Sequence, residues 1–151
     1  MKIYTSYWAQ VRNFPPNLVA LSTVVFEPKW YKVGGKDKNG VISIRCNPFR
    51  PGKECDGLCN GKCNPRRPET CEFLKTYRKQ LDRLDVKQVL QRLTELAVAI
   101  KLDEGFDDVD FAFIVFEAPK NKCSERWPIQ RWFKENGVEI EEWTKEKRID
   151  N

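Results

Sequence analysis

The sequence predicts an α/β fold: a small three-layer sheet with flanking helices and a Cys-rich metal-binding insertion. Three observations lead there. Two short runs, Leu18 to Phe26 and Phe111 to Phe116, are almost wholly apolar, as strands buried on both faces are. Between and after them, apolar residues recur at helical spacing. Finally, residues 46–71 hold five of the six cysteines among prolines and glycines, with little apolar beyond Phe49 and Leu58.

In chain order, Lys2 to Tyr7 is a first strand and Trp8 to Asn13 a turn or short helix, ended by Phe14-Pro15-Pro16-Asn17. Leu18 to Phe26 follows as a second strand, closed by Glu27-Pro28 and parallel to the first if a helical crossover joins them. Val33 to Gly40 is a polar, Gly-rich turn without the spacing of a P-loop. Val41 to Arg45 then completes a hairpin with Trp30 to Val33. After the cysteines, Phe73, Leu74, Tyr77, Leu81 and Leu84 mark one face of a helix over Cys71 to Leu84. Asp85 caps a second helix carrying Val86, Val89, Leu90, Leu93, Leu96, Ala97 and Ile100, which Asp103-Glu104-Gly105 ends. The acidic run at Asp107, Asp108 and Asp110 lacks calcium-loop spacing and reads as a connection. Past the second apolar strand, Ala118 to Lys122 turns. Ser124 is placed to cap a helix with Trp127, Ile129, Trp132 and Phe133, with Pro128 in its first turn and Asn136-Gly137 at its end. Val138 to Trp143 is an edge strand, and Lys145 to Asn151 a frayed tail.

At 151 residues, with 40% apolar, 12% aromatic and 32% charged, the chain suits one α/β domain over 1–151 with its insertion at 46–71. No apolar run approaches the roughly 18 to 20 residues of a membrane span, and no signal-peptide core opens the chain, so a soluble, cytoplasmic protein is expected. The chain has no histidine, which excludes Ser-His and Cys-His dyads and mixed Cys/His zinc sites.

Cys46, Cys55, Cys59, Cys63 and Cys71 fall within 26 residues. So little apolar surface cannot offset the entropy of ordering the segment, and a reducing compartment disfavours disulfides; thiolate coordination by four of the five is therefore expected. The x3 spacing of Cys55, Cys59 and Cys63 departs from the usual zinc knuckle, while Gly57 and Gly61 allow tight folding between them. Zinc is the first expectation, an iron-sulfur cluster the alternative.

Cys123 lies between a buried strand and a helix start, where α/β sheets place ligands and where the helix end stabilises a thiolate. The alternative is a small thiol buried under the loop. The candidate catalytic residues are Cys123 as nucleophile, Arg126 as anion clamp and Glu117 as proton carrier; Tyr4, Ser6, Trp30 and Lys122 are candidate substrate contacts. The net charge of +5 is uneven: residues 29–83 hold 14 Lys or Arg against 6 Asp or Glu, and Lys75, Arg78, Lys79 and Arg83 share a helix face. This basic region suits a nucleotide or nucleic acid, or else a solvated surface that offsets metal-bound thiolates.

Some of these residues carry a resemblance. Ile3-Tyr4-Thr5-Ser6-Tyr7-Trp8-Ala9, Leu21-Ser22-Thr23, Pro28-Lys29-Trp30-Tyr31, and Glu117-Ala118-Pro119 followed by Cys123-Ser124-Glu125-Arg126 resemble motifs at both ends of the family called domain of unknown function number four-eight-eight. The likeness spans about half the chain and implies an α/β fold with a pocket near Cys123. In this sequence the histidine of the family's Cys-His-Arg signature is replaced, and the cysteine-rich middle is an addition. Two functions follow as expectations: an enzyme acting on a phosphate-bearing or nucleobase-like substrate beside Cys123, or a metal-stabilised module that binds nucleic acid or protein without turnover.

Overall fold

The computed structural model describes residues 1–59, 64 and 66–145. In order it contains β1 (Ile3–Tyr7), α1 (Trp8–Val11), β2 (Leu18–Ser22), β3 (Gly35–Lys36), β4 (Ile42–Arg45), α2 (Glu72–Asp82), α3 (Val86–Glu104), β5 (Asp110–Val115), α4 (Arg126–Glu135) and β6 (Glu141–Glu142). One six-stranded mixed sheet of order β3-β4-β2-β5-β1-β6 organises them. Among the described strands only β3 runs antiparallel to its neighbour; β5 sits in the middle, with Phe111 opposite both Ile3 and Val19.

Because side chains alternate along a strand, β5 supplies two cores. Phe111, Phe113 and Val115 point to one face, where they pack with Tyr77 and Leu81 of α2, Leu93, Ala97 and Ile100 of α3, and Ile129, Trp132 and Phe133 of α4. Ala112 and Ile114 point to the other, against Trp8, Val11, Phe14 and Trp143. The smaller side chains of that second face match its thinner cover, a one-turn helix and loops. Thus the helix layers are unequal: three long helices on one side, α1 on the other. No helix among the described residues is long and apolar enough to cross a membrane.

Most helix ends follow the local chemistry expected of them. Asp85 accepts the Lys87 N–H at 2.9 Å, and Gly105 takes the left-handed conformation (φ 73°) that ends α3. Ser124 Oγ accepts the Arg126 N–H at 3.2 Å at the start of α4.

Three elements differ from expectation. The second strand stops at Ser22, not Phe26: Thr23 donates from both its N–H and its hydroxyl to the Ile114 carbonyl, and the chain then turns out, leaving Phe26 84% exposed. The hairpin partner of β4 is Gly35–Lys36, not Trp30 to Val33. Asp37 closes the turn tightly by accepting the N–H groups of Asn39 (2.8 Å) and Val41 (3.0 Å), which sets residues 35–36 directly opposite 42–43. The last strand is only Glu141–Glu142, paired with Tyr4 and Thr5.

Candidate functional site

The carboxyl ends of β2 and β5 open onto the loops that follow them, at the point where the chain's path leaves β1 in one direction for β2 and returns through β5. In open α/β sheets this crevice is the habitual ligand position. Two elements build it here, the first part of the cysteine-rich segment and the loop 116–125 between β5 and α4.

The cysteine-rich segment is docked by means the composition did not suggest. Phe49 is fully buried, 4.5 Å from the Phe113 ring and 5.8 Å from Phe133, and with the buried Cys55 it joins the segment to the main core. From α2, the Tyr77 hydroxyl donates to the Phe49 carbonyl, while Gln80 donates to Arg50 O (2.7 Å) and accepts from Gly52 N–H (2.8 Å). Residues 47–55 are therefore held by a core contact and helix side chains, which corrects the expectation that sulfur alone must order them. Cys63 and Gly61 lie outside the described residues.

The cysteines do not all meet. Cys55, Cys59 and Cys71 line a cavity of about 400 Å3 together with Cys123 from the β5–α4 loop. Asp56, Glu117 and Glu125 border it, with Phe26, Phe73, Leu74 and Phe116 as its apolar wall; none of the described residues lining it is Lys or Arg. Cys46 faces a different cavity among Leu84, Val89 and Leu93, and burial pushes its thiol up to about 12. Among the described residues no three Cys, Asp or Glu side chains already stand around one point as ligands of an ion would, so the metal-binding insertion expected from the sequence is not a preformed metal site. The thiol cavity is electrostatically one-sided. Burial and then the neighbouring Glu117 charge push the Glu125 carboxyl up to about 7; burial, then Glu54, Asp56 and Glu125, raise the Cys55 thiol. One carboxylate oxygen, Glu117 Oε2, is buried there without a hydrogen-bond partner.

A second cavity of about 810 Å3 lies on the other side of the same loop, between α2 and α4. Its lining carries Lys75, Arg78, Lys79, Lys122 and Arg131 against Glu69 and Glu72, with Trp127, Pro128, Pro68 and Leu74 as its floor. Arg78 pairs with Asp82 and Glu135, and Lys75 with Glu72 at 3.5 Å. Lys79, Lys122 and Arg131 make no ion pair among the described residues. Asn121 ties the turn before Cys123 to the start of α4: its side chain accepts the Cys123 N–H at 2.9 Å, and its carbonyl accepts the Trp127 indole N–H at 3.4 Å.

The residues expected to share one pocket are dispersed. Cys123 and Glu117 lie together in the thiol cavity. Lys122 lines the basic groove. Arg126 is 0% exposed and faces neither, donating to Glu142 Oε1 (2.6 Å) and Oε2 (3.1 Å) and to the Glu117 carbonyl (2.8 Å), with its guanidinium 5.6 Å from the Tyr7 ring and 5.9 Å from Trp127. Its Nη1 has no hydrogen-bond partner and lies buried beside those rings. It is a brace for α4. Ser6 is buried and donates to the Trp143 carbonyl at 2.9 Å. Tyr4 borders another depression with Lys2, Leu90 and Glu139, its hydroxyl raised by burial and by Asp110 and Glu141. Trp30 is 67% exposed and packs edge-on against Tyr31. Sequence reasoning placed Trp127 on a core face and gave Arg131 no role; no local signal distinguishes a groove residue from a core residue on an amphipathic helix.

Comparison with known proteins returns no match, whether to a family model, a curated protein or a solved structure.

Proposed function

We propose that the protein is a nucleic-acid-binding module, completed by a cysteine-held metal, that takes a single strand into the groove between α2 and α4. The observation that carries this reading is the groove's charge: five cations against two carboxylates around a half-buried tryptophan. Phosphates supply the anions such a lining wants, and a base supplies a flat face for Trp127, whose ring is steadied by the Arg126 guanidinium 5.9 Å away. A concave groove suits a flexible single strand better than a duplex.

The test is binding of a short fluorescent single-stranded oligonucleotide at several salt concentrations. Binding should weaken linearly on a log-log plot, with a slope of about 0.7 per phosphate contact. A salt-independent affinity, or one unchanged by Lys79→Glu with Arg131→Glu, sinks the reading; preference for a phosphopeptide would replace it.

A second reading, catalysis at Cys123, is favoured by one observation. Glu117 and Glu125 border the same cavity, and a carboxyl at about 7 exchanges protons near neutrality. The lack of any cation in the described lining argues for a neutral, nucleobase-like substrate over a phosphate-bearing one. Rapid alkylation of Cys123 at neutral pH, with turnover lost in Glu125→Gln, would favour it.

A further inference from the structure

We propose that Cys123 is a metal ligand, and that Cys55, Cys59, Cys71 and Cys123 together bind one zinc ion that ties the cysteine-rich segment to the loop between β5 and α4. This rests on the reading that the cysteines hold a metal, and it changes which cysteines do so. From sequence spacing alone the site belongs to the segment 46–71, and Cys123 is a separate nucleophile. The fold joins the two, because the segment docks through Phe49 and Gln80 directly over the carboxyl end of β5, where the loop bearing Cys123 begins.

Three features of the cavity fit a soft cation. Four thiols are the donor set of a closed zinc site, and here they come from three stretches of chain that the fold brings to one cavity. Among the described residues the charged lining is all acidic, Asp56, Glu117 and Glu125, which favours a cation there. Independently of the sulfurs, Glu117 Oε2 is a buried acceptor with no donor, the kind of atom that a cation or a cation-bound group satisfies. Since among the described residues the ligands are not gathered around one point, binding must draw them together. The surplus charge of a four-thiolate zinc site, about −2, falls in a region with 14 Lys or Arg against 6 Asp or Glu. Cys46 has no part in this, since it opens onto a different cavity against α3.

The experiment is metal analysis of the full chain purified under reducing conditions without chelator, for the wild type and for single substitutions. One zinc per chain is expected in the wild type and in Cys46→Ser, and none in Cys123→Ser or Cys55→Ser. Cys123→His should recover zinc, because an imidazole ligates the ion and a serine hydroxyl does so poorly; this rescue separates a lost ligand from a misfolded loop. Undiminished zinc in Cys123→Ser, or equal loss in Cys46→Ser, overturns the assignment of Cys123 while leaving a cysteine-bound metal in place. A wild type without metal overturns the metal reading itself. A brown protein with iron and sulfide overturns the single zinc ion.

Discussion

The two cavities share a wall and have opposite chemistry. Lys122 and Cys123 are neighbours in sequence, yet among the described residues one lines a groove with five cations and the other a cavity whose charged lining is three carboxylates; Leu74 of α2 contributes to both. The difference teaches that a loop at the carboxyl edge of a sheet can serve two sites at once. Cys123 and Arg126, expected side by side in one pocket, do not share a cavity: Cys123 lines the thiol cavity, while Arg126 is buried on Glu142. Under the two proposals, anions bind on the α2–α4 side, and a soft cation on the side of β2 and the cysteine-rich segment.

Both cavities depend on the position of α4, and the harshest way to break the comparison removes its brace. Arg126 is wholly buried and its main partner is Glu142, so Glu142→Ala leaves an uncompensated charge in the interior. Breaking a buried pair from one side costs roughly 3–5 kcal/mol, and chemical denaturation should read a loss of that size, with groove and thiol cavity failing together. Charge reversal of Lys79, Lys122 and Arg131 should act on one side only. None of the three makes an ion pair among the described residues, so stability should change little, while the salt slope of oligonucleotide binding falls by about 2 and zinc content stays the same. If zinc is lost as well, the two cavities are not separable sites.

The sheet and long helices were legible in the sequence because their signals are local and redundant: the apolar run around Phe113, the stripe from Val86 to Ile100, the caps at Asp85 and Gly105. Strand ends were less so. Val24, Val25 and Phe26 read as strand, but a strand ends where its partners end, and β5 offers no partner past Ile114 for that stretch. The docking of the cysteine-rich segment was hidden for a related reason: a phenylalanine, Phe49, that meets Phe113 and Phe133 far along the chain carries no local pattern. The grouping of Cys123 with Cys55, Cys59 and Cys71 is long-range too, and only the fold exposes it. By contrast the basic character of α2 was readable, since Lys75, Arg78 and Lys79 lie on one face. What faces them across the groove was not.

Trp127→Ala sharpens the account of the groove by testing its apolar floor apart from its charges. If a base stacks there, affinity should drop by roughly 1–3 kcal/mol, about 5- to 150-fold, with the salt slope unchanged, and Trp127→Phe should keep most of the binding. A fall in slope instead would mean that the substitution displaced Lys122 through the Asn121 turn, whose carbonyl accepts the indole N–H.

The smallest expected effect probes the wall of the thiol cavity. Gln80 lies on α2 but turns away from the basic groove, and its amide accepts from Gly52 N–H and donates to Arg50 O. Gln80→Ala should cost about 1–2 kcal/mol, the net worth of two partly buried hydrogen bonds, because Phe49 still anchors the segment. The informative readout is the effect of zinc on that loss. If the ion fastens the segment to Cys123, saturating zinc gives the chain a second tether, so hydrogen exchange at Gly52 and Cys55 in Gln80→Ala should be slowed by zinc more than in the parent protein. Equal slowing would mean that the helix contacts and the thiol site hold the segment independently, and that Gln80 contributes nothing to how the cavity closes.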